Sequence, residues 1–166
     1  MIHLRCLPGV AAMFLAAILA VVAAGPAAAL SCRRPDLART FQMADQSTDT
    51  YVIVLGELDF DVSQLPGNDR PGNKGQELTA KLHGRIVTRT DYSDWIDRPI
   101  TLNVQCVSAW CGSVPAGEDL LMFLRQSGAG YTLDVGPCGG YVFLRPDHNL
   151  IALARNCLAG GPCEPR

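Results

Sequence analysis

Hydrophobic positions in this chain fall into three kinds of run, and each predicts a different element. Tyr51-Val52-Ile53-Val54-Leu55 and Leu120-Leu121-Met122-Phe123-Leu124 are apolar at consecutive positions. Short runs of this kind, one of them rich in β-branched residues, read as strands buried on both faces. Alternation marks half-buried strands. Leu58, Phe60 and Val62 oppose Glu57, Asp59 and Asp61, and Leu78, Ala80 and Leu82 share a face within Glu77 to Thr90. Ile100 to Gln105 alternates again. Helical spacing appears only near the ends, in Leu37, Phe41 and Ala44 and in Leu150, Ala154 and Cys157.

These runs predict an amphipathic helix from about Pro35-Asp36 to Asp45-Gln46-Ser47, with Asp36 in its first turn. Strands follow over Thr50 to Val62, Glu77 to Thr90 and Ile100 to Gln105. Two more lie in the block from Trp110 to Gly140, joined by the turn Ser127-Gly128-Ala129-Gly130. Gly84 interrupts the second strand and is expected to mark a bulge or a barrel corner. Leu65 to Asn73 reads as a loop, and so does Asp91 to Pro99, which carries Trp95. Pro146-Asp147 starts the last helix and Gly160-Gly161-Pro162 stops it. Five strands with a short helix at each end make an α+β or small-barrel chain.

The first residues predict an export signal, not part of the fold. Arg5 gives a positive start, Val10 to Ala24 is apolar throughout, and Ala27-Ala28-Ala29 fits a small-residue cleavage site. Gly9 and Gly25-Pro26 bound the run short of the ~20 residues that a spanning helix needs. Residues 1–29 are the expected signal and residues 30–166 one domain, secreted or periplasmic, with no stable membrane insertion after cleavage. Ala29 stands where lipidation of Cys32 wants a branched apolar residue, so no lipid anchor is expected.

Charge excludes some partners. Without Arg5 the chain carries 13 basic against 16 acidic residues, a balance of −3. Nucleic acid and anionic membranes ask for basic patches, so neither is expected as a partner.

Cysteine usage agrees with export. Cys6 leaves with the signal, and Cys32, Cys106, Cys111, Cys138, Cys157 and Cys163 remain. An even number in an exported chain predicts three disulfides. Cys106 with Cys111 and Cys157 with Cys163 can each close a small loop, which leaves Cys32 with Cys138. Zinc or thiol chemistry is not expected: there is no Cys-x-x-Cys, and His83 and His148 lie on different elements. No cofactor is expected.

Ser31-Cys32 followed by Pro35 and a helix bearing Phe41, the strand Val52-Ile53-Val54-Leu55-Gly56, and Cys111-Gly112 form a recognisable series. Gly117-Glu118 leading into Leu121-Met122-Phe123, then Tyr131-Thr132-Leu133 leading to Cys138, complete it. Over Ser31 to Gly140 the chain resembles the netrin-like modules and the amino-terminal domain of the tissue inhibitors of metalloproteinases. The resemblance implies a mainly β fold with flanking helices: a disulfide-stapled, five-stranded OB-type barrel. It also supports a Cys32–Cys138 bridge. The inhibitors begin with Cys-x-Cys and chelate the protease zinc through their first cysteine. Leu30 occupies that position here, so the chelating terminus is missing, and Cys106 is available to Cys111 instead.

Candidate chemistry is thin. Glu57, Asp59 and Asp61 read as a solvated strand face and Asp91, Asp94 and Asp97 as a polar loop without EF-hand spacing. Trp95 and Trp110 are expected to be buried against the barrel or a disulfide. Ser113 follows Cys111-Gly112 without a Gly-x-Ser-x-Gly elbow. A small hydrolase using Ser113, or His148 with Asp147, is the least favoured reading. The expectation is a non-enzymatic binding module whose partner is another extracytoplasmic protein, met at Leu30-Ser31-Cys32 and at the loops around Trp95 and Ser113. The alternative is a protease inhibitor.

Overall fold

The computed structural model describes residues 31–68 and 72–165. The expected signal and Leu30 lie outside the described residues. Helix α1 (Leu37–Asp45) starts one residue later than the periodicity suggests, because Asp36 is its cap and not part of its first turn. The Asp36 carboxylate accepts from the Arg39 N–H at 3.0 Å, which satisfies one of the donors that a helix start leaves unpaired. Leu37, Ala38, Thr40 and Ala44 are buried.

Strands β1 (Tyr51–Asp59), β2 (Gln76–Val87) and β3 (Tyr92–Val104) form an antiparallel meander. The small hairpin strands β4 (Cys106–Val107) and β5 (Trp110–Cys111) follow, then β6 (Leu120–Ser127), β7 (Gly130–Val135) and β8 (Val142–Leu144). Helix α2 (His148–Leu158) ends the fold, capped by the Asp147 carboxylate on the Leu150 N–H at 2.7 Å. β7 pairs in parallel with β3 over Thr132–Val135 and Thr101–Val104, and antiparallel with β6. β6 returns to β1, with Ile53 opposite Phe123, and so closes a barrel in the order β1-β2-β3-β7-β6. That is the five-stranded OB-type order expected of the chain.

Closure explains the consecutive apolar runs. Along β6, Leu120, Met122 and Leu124 fill the barrel, while Leu121 and Phe123 point outward under α1, α2 and β8. β1 divides the same way, Val54 and Leu58 inside and Ile53 outside. The helices therefore cover the β1–β6–β8 side, and the outer face of β2–β3 meets solvent.

Several expectations change. Tyr92 to Pro99 is not a loop but the first part of β3, paired with β2 from Val87↔Tyr92 onward. β7 reaches β3 only from Thr101, so Pro99 sits where β3 has a free edge, a setting proline tolerates. The first strand ends at Asp59, and Asp61 caps a 3₁₀ turn (Val62–Gln64) through its bond to the Ser63 N–H, leaving Val62 exposed. Gly84, expected to mark a bulge or a barrel corner, sits in regular pairing within β2. It lies opposite Gly56, where a side chain on Gly56 would collide with the His83 carbonyl. The irregularity falls two residues on, between Arg85 and Val87. Trp95 and Trp110, expected to be buried, are 63% and 47% exposed.

Three disulfides join Cys32–Cys138, Cys106–Cys111 and Cys157–Cys163. The first bridges 106 residues. It works with the Thr40 hydroxyl, which donates to the Gly140 carbonyl at 2.6 Å, to hold α1 against the segment after β7. Beside it Tyr141 stacks on Tyr51 with ring centroids 5.5 Å apart.

Chain entropy sets the relative value of the bridges. Replacing Cys32 and Cys138 by alanine is expected to cost about 5 kcal/mol, and replacing Cys106 and Cys111 about 2; urea midpoints check the ranking. Burial, then the hydrogen bond to Tyr141, pushes the Tyr51 hydroxyl up to about 12 from its ordinary 10.0. The folded chain holds that proton more tightly than the unfolded chain. The contribution is therefore complete below pH 10 and lost as pH rises toward 12. Urea midpoints across that window should fall less steeply in Tyr51→Phe.

Candidate functional site: a disulfide-clamped ridge

At its far end β3 hands the chain to a tightly tied corner. The Gln105 N–H donates to the Val135 carbonyl at 2.9 Å, and the Gln105 carbonyl accepts from the Gly112 N–H at 2.8 Å. Between these bonds the chain makes the β4–β5 hairpin, with Cys106 opposite Cys111 and Val107 opposite Trp110. Its two-residue loop, Ser108-Ala109, places Ser108 at φ 57°, a left-handed conformation that favours glycine or asparagine. The Cys106–Cys111 bridge across the neck holds the loop closed.

The corner is fixed from two further sides. The Cys111 N–H donates to Asn68 Oδ1 at 2.6 Å, which ties the β1–β2 loop to the hairpin. Gly112 runs so close to β7 that a side chain there would collide with the Val135 carbonyl, so the position requires glycine. Gly136-Pro137-Cys138-Gly139 then turns, the Gly139 N–H donating to the Gly136 carbonyl at 3.0 Å. Cys138 in that turn carries the bridge to Cys32.

The corner thus forms a ridge from Cys32 and Cys138 past Gly112 to the hairpin. Val107 and Trp110 stand side by side on it, 54% and 47% exposed. Ser113 is exposed on the same stretch, and the buried Val114 beyond it anchors the chain. Two adjacent large apolar side chains are held in water there by a cross-linked turn. The arrangement suits contact with another macromolecule: the side chains lose little freedom on binding.

Trp95 does not belong to this ridge. It lies on the outer face of β3, ten residues before Gln105 and so on the order of 30 Å of strand away. Ser31 is exposed and outside any regular element. Of the expected surface, Ser113 and the Cys32 end meet Gly112 and the hairpin, while Trp95 marks a second region.

That second region is a row of stacked side chains. His83 lies on Trp95 with ring centroids 4.6 Å apart, Arg85 stands over both Trp95 and Tyr92, and Arg155 of α2 lies 4.4 Å from the centre of the Tyr92 ring. Lys81 Nζ reaches Asp97 at 3.1 Å and His83 Nδ1 reaches it at 3.6 Å; both pairs are exposed and add little stability. Glu57 and Asp59 line the same hollow with Lys81, His83 and Asp97, but Asp61 has left the row for its cap. Hydrogen bonds from Ser63 hold the Asp61 carboxyl below the ordinary carboxylate range.

Other candidate chemistry is dispersed. His83 contacts Trp95 and Asp97, Ser113 lies at the opposite end of β3, and the Asp147 carboxylate caps α2. Among the described residues no three His, Cys, Asp or Glu side chains converge as metal ligands, and no helix is long and apolar enough to cross a membrane. Comparison with protein-family models, curated proteins and solved structures finds no match to this chain.

Proposed function

We propose that the chain is an exported, non-enzymatic binding module of the netrin-like OB type, which captures another extracytoplasmic protein through the ridge. The observation that carries this reading is the exposed Val107–Trp110 pair on the cross-linked hairpin. Tryptophan dominates many protein interfaces because one rigid side chain removes a large apolar area from water. Three disulfides fit an oxidising compartment, and the apolar run at the start supports a secreted or periplasmic destination.

The partner is a protein more readily than a small molecule, because the apolar groups Val107 and Trp110 stand exposed on the ridge. Inhibition of a metalloprotease through a chelating terminus is the weaker reading, since Leu30 stands where the first cysteine is needed. Titration of the processed protein against zinc metalloproteases separates the two.

Immobilised processed protein is expected to retain a specific protein from its own envelope extract. Trp110→Ala should reduce that retention at least tenfold, about 1.4 kcal/mol or more, and Trp95→Ala should leave it intact. Equal retention by Trp110→Ala with an unchanged melting temperature would remove the ridge from the account.

A further inference from the structure

The turn between β2 and β3 and one face of α2 enclose a groove of about 460 Å³. His148, Ala152, Arg155 and Ala159 follow one another at helical spacing along that face, and Arg89 and Tyr92 close the groove from the turn. Ala152 and Ala159 are small, which leaves open space on either side of Arg155. The buried face of the helix, with Ala154 and Cys157, is directed elsewhere, into the layer under α1.

Charge in this groove is one-sided. Two arginines and a histidine line it and no carboxylate does, in a chain with more acids than bases. Neither arginine has a salt-bridge partner among the described residues. Asp147, next to His148, uses its carboxylate on the α2 cap.

The arginines are held in ways that leave their outer N–H groups unused. Arg89 donates from Nε to the Leu158 carbonyl at 3.1 Å. Arg155 is fixed by its ring contact with Tyr92, and its Nε is buried with no hydrogen-bond partner. Burying a guanidinium nitrogen unsatisfied is costly. An acceptor arriving in the groove would meet the remaining guanidinium N–H groups of the two arginines, planar donor edges that suit oxyanions.

We propose that this groove binds a phosphate group, either as inorganic phosphate or on a small phosphorylated molecule. Donors come from two directions, Arg89 from the turn and Arg155 with His148 from the helix. They suit a tetrahedral anion with several oxygens better than a planar carboxylate with two. The site is separate from the ridge and does not depend on the ridge being a binding surface.

Titrating inorganic phosphate into ¹⁵N-labelled processed protein, with ionic strength held constant by sodium chloride, tests it. Saturable shifts are expected at Arg89, Tyr92 and the α2 amides. Arg155→Gln and Arg89→Gln should each weaken binding at least tenfold, and Lys81→Gln on the opposite part of the face should not. Arg89 lies on an exposed turn, so its variant remains informative should Arg155→Gln unfold. Glycerol phosphate binding more tightly than inorganic phosphate assigns the site to a phosphorylated molecule; equal or weaker binding assigns it to the free ion. Shifts that track ionic strength alone, binding unchanged in both variants, or an equal response to acetate would overturn the proposal.

Discussion

The bridge from Cys32 to Cys138 is the constraint on which the rest of the molecule leans. It fastens the chain just ahead of α1 to the turn just after β7, across 106 residues of sequence. Helix α1 is nine residues long, too short to persist in water by itself. Its place depends on the buried Leu37, Ala38 and Ala44, on the Thr40 bond to Gly140, and on that cross-link. The turn carrying Cys138 in turn packs beside Gly112, so the same bond that docks the helix also steadies the base of the exposed hairpin.

The barrel divides its outer surface into parts with different duties. The apolar runs of β1 and β6 are covered by the helices, whereas the outer side of β2–β3 and the Glu57–Asp59 end of β1 stay open. On the seam between these parts Arg125 donates to Asp134 at 3.2 Å and Asn103 donates to the same carboxylate at 2.6 Å, linking β6, β7 and β3. The hydrogen bond from Arg125 to Asp134 raises the arginine further above its usual range. This polar clasp spans the parallel β3–β7 pairing, which brings Gln105 to Val135 and so sets where the ridge begins. The proposed binding ridge sits where strands end and connections are cross-linked, a common division between scaffold and loops.

Much of the scaffold was legible in the residues. Two-sided apolar runs identified β1 and β6 because both are covered on both faces along those runs, and Pro146-Asp147 marked the start of α2, whereas Asp36, read into the first turn of α1, is its cap. The outer half of β3 was hidden: Asp94, Asp97 and Pro99 all disfavour strand, and its conformation comes from pairing with β2, which is tertiary information. The exposure of Trp95 and Trp110 was hidden for a related reason. Composition says that a tryptophan wants burial, but only the register says which face it occupies. The spacing of Cys106 and Cys111 showed a closed loop, yet Ser108-Ala109 carries no hairpin signature, so the paired Val107 and Trp110 went unseen. Arg89 and Arg155 lie far apart in sequence and share no periodicity; only the packing of α2 against the β2–β3 turn brings them to one groove.

The claim that cross-links organise both the barrel and the ridge is tested most directly by mapping the disulfides. Processed protein, alkylated without reduction and digested, should release linked peptides for Cys32–Cys138, Cys106–Cys111 and Cys157–Cys163, with no alkylated cysteine. Any free thiol at these six positions, or a Cys32–Cys111 or Cys106–Cys138 peptide in their place, would contradict the account.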